Sequence, residues 1–323
     1  MDVPIPDTDP KSQQLVRVFQ ISYANRVWGY ARDMGHRVVS ELSKDIGSVL
    51  ISVHGVGTDS VLEAHIAESL AANCGLKAYM SFESRTSRWR GLSRLQPFHD
   101  SPLGLHSAYA AYEASLLLMS TVEVCSRTQA APVLVAHSRG ALILAKASIL
   151  WRGLAATTHL QDSDRRDEVW AQIPGFMDSW KRLDASTQHL LLADAEAISD
   201  TRIIAVTACP AVSPDDPGWT SLQRWSEGRL WNLYTKRDWF LFFAGNRERG
   251  YIPSLGERNI RFHLGHGNFS GNPLVQKVVA NLLGHGNLTR ETVDRLIHHY
   301  FTERKLAPAV DPVAKAPFLR LRR

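Results

Sequence analysis

Residues 132–144 read Pro-Val-Leu-Val-Ala-His-Ser-Arg-Gly-Ala-Leu-Ile-Leu. Val133 to Ala136 form a compact apolar run bounded by Pro132, the composition of a strand buried in a parallel sheet. Ala141 to Ala147 are good helix formers, so a helix follows at once. Ser138 falls in the hinge between them. So abrupt a turn brings neighbouring backbone close, and Ala136 and Gly140 supply the small residues it needs. The turn projects Ser138 above the sheet with a helix N-terminus beneath it. The N–H groups and positive dipole of that terminus suit a developing oxyanion.

Ala136-His137-Ser138-Arg139-Gly140 resembles the nucleophile elbow of the α/β-hydrolase superfamily, G-x-S-x-G, with alanine in place of the first glycine. A serine hydroxyl is a poor nucleophile unless a base reaches it and a third group orients that base. The superfamily order, serine then acid then histidine, is matched here. Arg229–Thr235 alternates and is rich in strand formers, and Asp238 stands just after it, where ligands gather in open α/β sheets. The plainer role for Asp238 is to cap a short helix starting at Trp239. Asp215 and Asp216 are the fallback acids, in a Pro-Asp-Asp-Pro context that reads as a turn. Asn259–Leu264 is the last strand candidate, and His266 follows it between two glycines. His263 competes as the base but is expected inside the strand, partly buried.

The resemblance spans residues 48–284 and implies a mostly parallel sheet flanked by helices, the α/β-hydrolase fold. It implies Ser138 as nucleophile, His266 as general base and Asp238 as the orienting acid. Ser48–Val53 reads as a strand, and His54-Gly-Val-Gly-Thr58 after it resembles the superfamily's oxyanion loop. The N–H of Val56 or Gly57, with that of Arg139, is then expected to hold the oxyanion, while His54 is structural. No cofactor and no metal is implied. The expected reaction is hydrolysis of a carboxylic ester with a hydrophobic acyl group. Ser138-Arg139-Gly140-Ala141 also resembles the elbow of some bacterial lipase effectors, which implies a membrane-acting phospholipase as an alternative. A non-catalytic binding protein of hydrolase fold is the third reading.

Composition agrees with a globular chain. Apolar residues make up 44% of the 323, ample for a core. No run approaches the ~20 apolar residues of a membrane span. The acidic, proline-rich start lacks the features of a secretory signal, so a cytoplasmic location is expected. Cys74, Cys125 and Cys209 are scattered, odd in number and without metal-ligand spacing, which argues against a disulfide framework or structural zinc. The net charge of +5 is modest. Arg85, Arg88, Arg90 and Arg94 surround Trp89 without a nucleic-acid module, so no nucleic-acid partner is expected. A solvated loop is the plain reading of this cluster, and recognition of an anionic headgroup is the alternative. Oligomeric state is not legible.

The chain divides into an N-terminal extension (1–47), a hydrolase-like domain (48–303) with a helical insertion (154–200), and a basic tail (304–323). Apolar residues from Val16 to Leu42 recur at three or four, which predicts a long amphipathic helix from about residue 13, though Leu15–Ile21 also fits a strand. The insertion serves either as a cap over the serine or as packing on the sheet flank. Trp239, Phe240, Leu241, Phe242 and Phe243 read first as core; an acyl-pocket wall or interfacial patch is the alternative. The basic tail and this patch allow peripheral membrane contact. His285 at a helix end, and His298 and His299 without further ligands, read as structural.

Overall fold

The computed structural model describes residues 16–22, 44–55, 60–83, 107–160, 162–243, 246–269, 271–285, 291 and 295. Seven parallel strands form one sheet: β1 (Val16–Ser22), β2 (Val49–Val53), β3 (Ala78–Glu83), β4 (Val133–His137), β5 (Ile204–Ala208), β6 (Leu230–Thr235) and β7 (Asn259–Phe262), in the order β1-β3-β2-β4-β5-β6-β7. Parallel neighbours need crossovers, and among the described residues α-helices lie in those from β2 onward and also follow β7. They are α1 (Ser60–Asn73), α2 (Ser107–Thr128), α3 (Arg139–Thr157), α4 (Ser163–Ala171), α5 (Phe176–Trp180), α6 (Ala185–Ala193), α7 (Ala195–Asp200), α8 (Gly218–Trp225), α9 (Trp239–Phe243) and α10 (Pro273–His285). The protein is therefore an α/β protein with a parallel sheet flanked by helices.

The strand pleat splits the core in two. Val49, Ile51 and Val53 of β2 join Met80, Leu134 and Ala205 on one face, packed against α2, α3 and α8. Leu50, Tyr79, Val133, Val206 and Leu233 lie on the other face, covered by α1 and α10. Ser69 and Asn73 of α1 both donate to Gln276 Oε1 on α10, at 3.0 and 3.1 Å, which joins the two covering helices. Both faces are dry, so the central strands read as apolar runs rather than alternating ones.

From β2 the chain steps to β3 on one side, then returns to β4 on the other side of β2. This reversal opens a crevice at the carboxyl ends of β2 and β4, where open α/β sheets bind ligands. Among the described residues, α3 alone is long and apolar enough to cross a membrane, but most of it is buried inside the fold.

Residues 16–22 are a strand, not part of the expected helix. They pair in parallel with β3. Over seven residues the apolar spacing fits either period, and the open N–H and C=O groups along β3 favour pairing. The rest of the expected helix, to residue 43, lies outside the described residues, as do the arginines at 85–94, His298, His299 and the basic tail.

Helices α4 to α7 pack on α2 and α3, along the flank of the sheet. Phe176 rests where α3 lacks a side chain: a Cβ on Gly153 would lie 2.0 Å from its ring. Trp170 donates from Nε1 to the Gly153 carbonyl at 3.0 Å and stacks near Phe176 and Trp180. Of the two expectations for residues 154–200, flank packing is the one these contacts match.

Candidate active site

The turn after β4 is strained at one residue. Ser138 has φ 53° and ψ −119°, a conformation that costs a non-glycine residue about 1–3 kcal/mol. Three backbone hydrogen bonds hold it there. Ser138 N donates to Ala208 O at 2.9 Å, and Ser138 O accepts from Ala211 N at 3.0 Å and from Ala141 N at 3.1 Å. Two of these come from the end of β5 and the loop beyond it, so the neighbouring strand enforces the elbow. Gly140 and Gly55 let the ends of β4 and β2 approach. A Cβ on Gly140 would lie 2.0 Å from Val53 O, and one on Gly55 would lie 2.8 Å from the Ser138 Cβ.

Asp238 follows β6 and is fully buried. Its carboxylate makes two separate contacts. Its Oδ1 accepts from Leu241 N at 2.9 Å, capping α9, while Oδ2 pairs with His266 Nδ1 at 2.7 Å. Beneath the ends of β5 to β7 lies a buried amide network. Thr207 Oγ1 donates to Asn232 Oδ1 at 2.9 Å, and Asn232 Nδ2 donates to Gly250 O at 2.7 Å and Asn259 Oδ1 at 2.8 Å. It ties together the strands that carry the acid and the histidine.

His266 opens the 3₁₀ turn His266–Asn268 after β7. Its Nε2 lies 2.9 Å from Ser138 Oγ. Three side chains from the ends of β4, β6 and β7, distant in sequence, thus form one hydrogen-bonded chain from Ser138 through His266 to Asp238. The imidazole keeps 16% of its surface exposed while the carboxylate keeps none. Such a chain can draw the serine proton onto the imidazole, with a buried carboxylate fixing the tautomer.

Two further residues flank the histidine: His137, to which the sequence assigned no role, and Phe240, from the run read as core or acyl-pocket wall. His137, next to the serine, donates from Nε2 to the His266 carbonyl at 3.1 Å, and the two rings lie 5.0 Å apart. Burial and the nearby His266 push its pKa down to about 3, so it stays neutral. Phe240 stacks on the other histidine at 4.6 Å. The adjacency of His137 to Ser138 was visible in the sequence; its aim toward residue 266 depends on the fold.

Arg139 begins α3, so its backbone N–H lies at the helix N-terminus beside the serine. Its side chain turns inward, and Nη2 bonds Glu113 Oε2 on α2 at 2.6 Å in a fully buried ion pair. Val56 and Gly57, the other expected oxyanion donors, lie outside the described residues. His54 is buried and bonds the Gly55 carbonyl through Nδ1 at 2.8 Å, a structural position.

The remaining candidates sit elsewhere. His263 is exposed beyond the end of β7, because the strand stops at Phe262, two residues short of expectation. Asp215 accepts from Ser213 Oγ, and Asp216 accepts from Gly218 N at 2.7 Å, so both are turn residues. Cys209 brings its sulfur within 4.8 Å of ligand-capable atoms of Asp238 and His266. Burial and the Asp238 carboxylate hold that thiol well above its usual pKa. A metal ligand must be a thiolate, and both ring nitrogens of His266 are already engaged, so the trio is poorly suited to a cation.

No family model, curated protein or solved structure matches this chain.

Proposed function

We propose that the protein is a serine hydrolase of the α/β-hydrolase class that cleaves carboxylic esters. The observation that carries this reading is the continuous chain from Ser138 Oγ to His266 Nε2 at 2.9 Å and from His266 Nδ1 to Asp238 Oδ2 at 2.7 Å. It stands at the crevice where the strand order reverses, on a serine held in a strained turn. His266 takes the proton as Ser138 attacks the ester carbonyl. Asp238 keeps Nδ1 protonated and stabilises the imidazolium. The N–H of Arg139, with one from the loop after β2, receives the oxyanion. The alcohol departs with the proton from His266, and water, activated by the same histidine, releases the acid. Aromatic rings beside His266 favour a substrate with a hydrophobic acyl group.

Labelling by a fluorophosphonate probe tests this. Wild-type protein reacts at Ser138. Ser138→Ala abolishes labelling, and His266→Ala slows it by at least about 10³-fold. A folded wild type that stays unlabelled, with or without detergent, overturns the reading.

A further inference from the structure

Helix α9 reads from sequence first as core, with an acyl-pocket wall or interfacial patch as the alternative; of its described side chains Leu241 is buried. Trp239 is 58% exposed, Phe242 38% and Phe240 36%. The fixed cap at Asp238 sets the helix rotation, which turns Leu241 inward and leaves Trp239, Phe240 and Phe242 outward. Phe240 reaches the catalytic histidine, so the exposed rings are continuous with the rim of the candidate site. Trp239 and Phe242 meet edge to face at 5.9 Å. The Arg249 guanidinium covers both, at 4.7 and 5.0 Å from the ring centres. It also donates to the Lys236 carbonyl, tying the turn before α9 to the turn after it.

Those two turns carry Lys236, Arg237, Arg247 and Arg249, against Glu248 and the buried, histidine-paired Asp238. Lys236, Arg237 and Arg247 are exposed. Aromatic rings that include a tryptophan favour the boundary between headgroup and acyl chain, and each flanking cation adds attraction to an anionic leaflet. The three rings present roughly 300 Å². A stable protein interface needs about 800 Å² a side. A bilayer asks less, because charge and a few rings together make a peripheral anchor.

We propose that this face docks on an anionic phospholipid bilayer and presents a lipid ester to Ser138. The choice of ester rests on the serine hydrolase reading; the docking does not.

The test uses the full chain carrying Ser138→Ala, which cannot consume the lipid. Flotation with phosphatidylcholine vesicles, alone or mixed with phosphatidylserine, measures partition. Binding is expected to the mixed vesicles and to weaken with salt. Lys236→Gln with Arg247→Gln lowers it about 30-fold, at two cations lost near an anionic surface. Trp239→Ser with Phe242→Ser lowers it at least about 10-fold. No binding to mixed vesicles at low salt overturns the proposal. So does binding that both paired variants retain in full, since it then belongs to another basic segment such as residues 320–323. The charge pair alters exposed side chains only, so it decides the matter even if the aromatic pair fails to fold. Vesicle binding by a wild type that resists fluorophosphonate removes the hydrolase reading and leaves the docking; a labelled chain indifferent to vesicles does the reverse.

Discussion

Gly140, at the start of α3, lies against the end of β2 so closely that a Cβ would stand 2.0 Å from the Val53 carbonyl oxygen. No side chain fits that gap, and the obstacle is backbone, which cannot step aside. Gly140→Ala is therefore expected to cost about 3 kcal/mol or more, read as a lower midpoint of urea unfolding. Gly55→Ala presses instead on the Ser138 side chain, at 2.8 Å. It should leave the midpoint nearer the wild type and lower kcat about 10²-fold through misplacement of the hydroxyl. Equal stability losses in the two variants would contradict this division.

Asp238 holds the helix and the histidine with separate oxygens. Asp238→Asn keeps an oxygen for Leu241 N but offers the imidazole an N–H, which favours the wrong tautomer. Ester turnover should fall about 10⁴-fold with little change in melting temperature. Asp238→Ala loses the cap as well and should melt lower, by about 1 kcal/mol at the cap alone.

The buried pair Arg139–Glu113 makes a stability prediction. Glu113→Ala removes the carboxylate 2.6 Å from a guanidinium that is 3% exposed and should cost about 3–5 kcal/mol in urea unfolding. Replacing both partners, Arg139→Met with Glu113→Leu, should recover most of that loss, since apolar side chains of similar volume need no counter-charge. A double variant no better than Glu113→Ala would mean that the charge itself is required.

His137 sets an acid limit. Its folded pKa is about 3 against an ordinary 6.5, so the unfolded chain binds the extra proton between those values. Stability is then full above pH 6.5 and falls as the pH drops toward 3, by about 2 kcal/mol already at pH 5. Thermal melts of wild type and His137→Gln across this range should diverge on the acid side, the variant losing less.

How much of this was legible depended on distance along the chain. Strand, elbow and the start of the helix at 133–147 are local, and their composition alone predicts them; the helix itself runs on to Thr157. The gathering of Ser138, Asp238 and His266 followed from their order after β4, β6 and β7 of one parallel sheet. Residues 16–22 escaped because seven residues satisfy two periodicities, and a vacant strand edge chose between them. Trp239 to Phe243 stayed open between core and interfacial patch because an apolar run does not say which residues turn inward; the cap at Asp238 sends Leu241 in and Trp239, Phe240 and Phe242 out. Glu113 was invisible for a different reason. It lies on a helix 26 residues away, and only packing reveals that it answers Arg139. Gly153 offered a fainter signal, since glycine inside a helix often marks a close approach, here that of Phe176.

β7 is laid down on the far edge of the sheet, and it delivers His266. A nascent chain that has emerged only as far as β6 holds Ser138 and Asp238 but has nothing to take the proton. On the proposed serine hydrolase reading, synthesis arms the serine last, with the strand that completes the sheet.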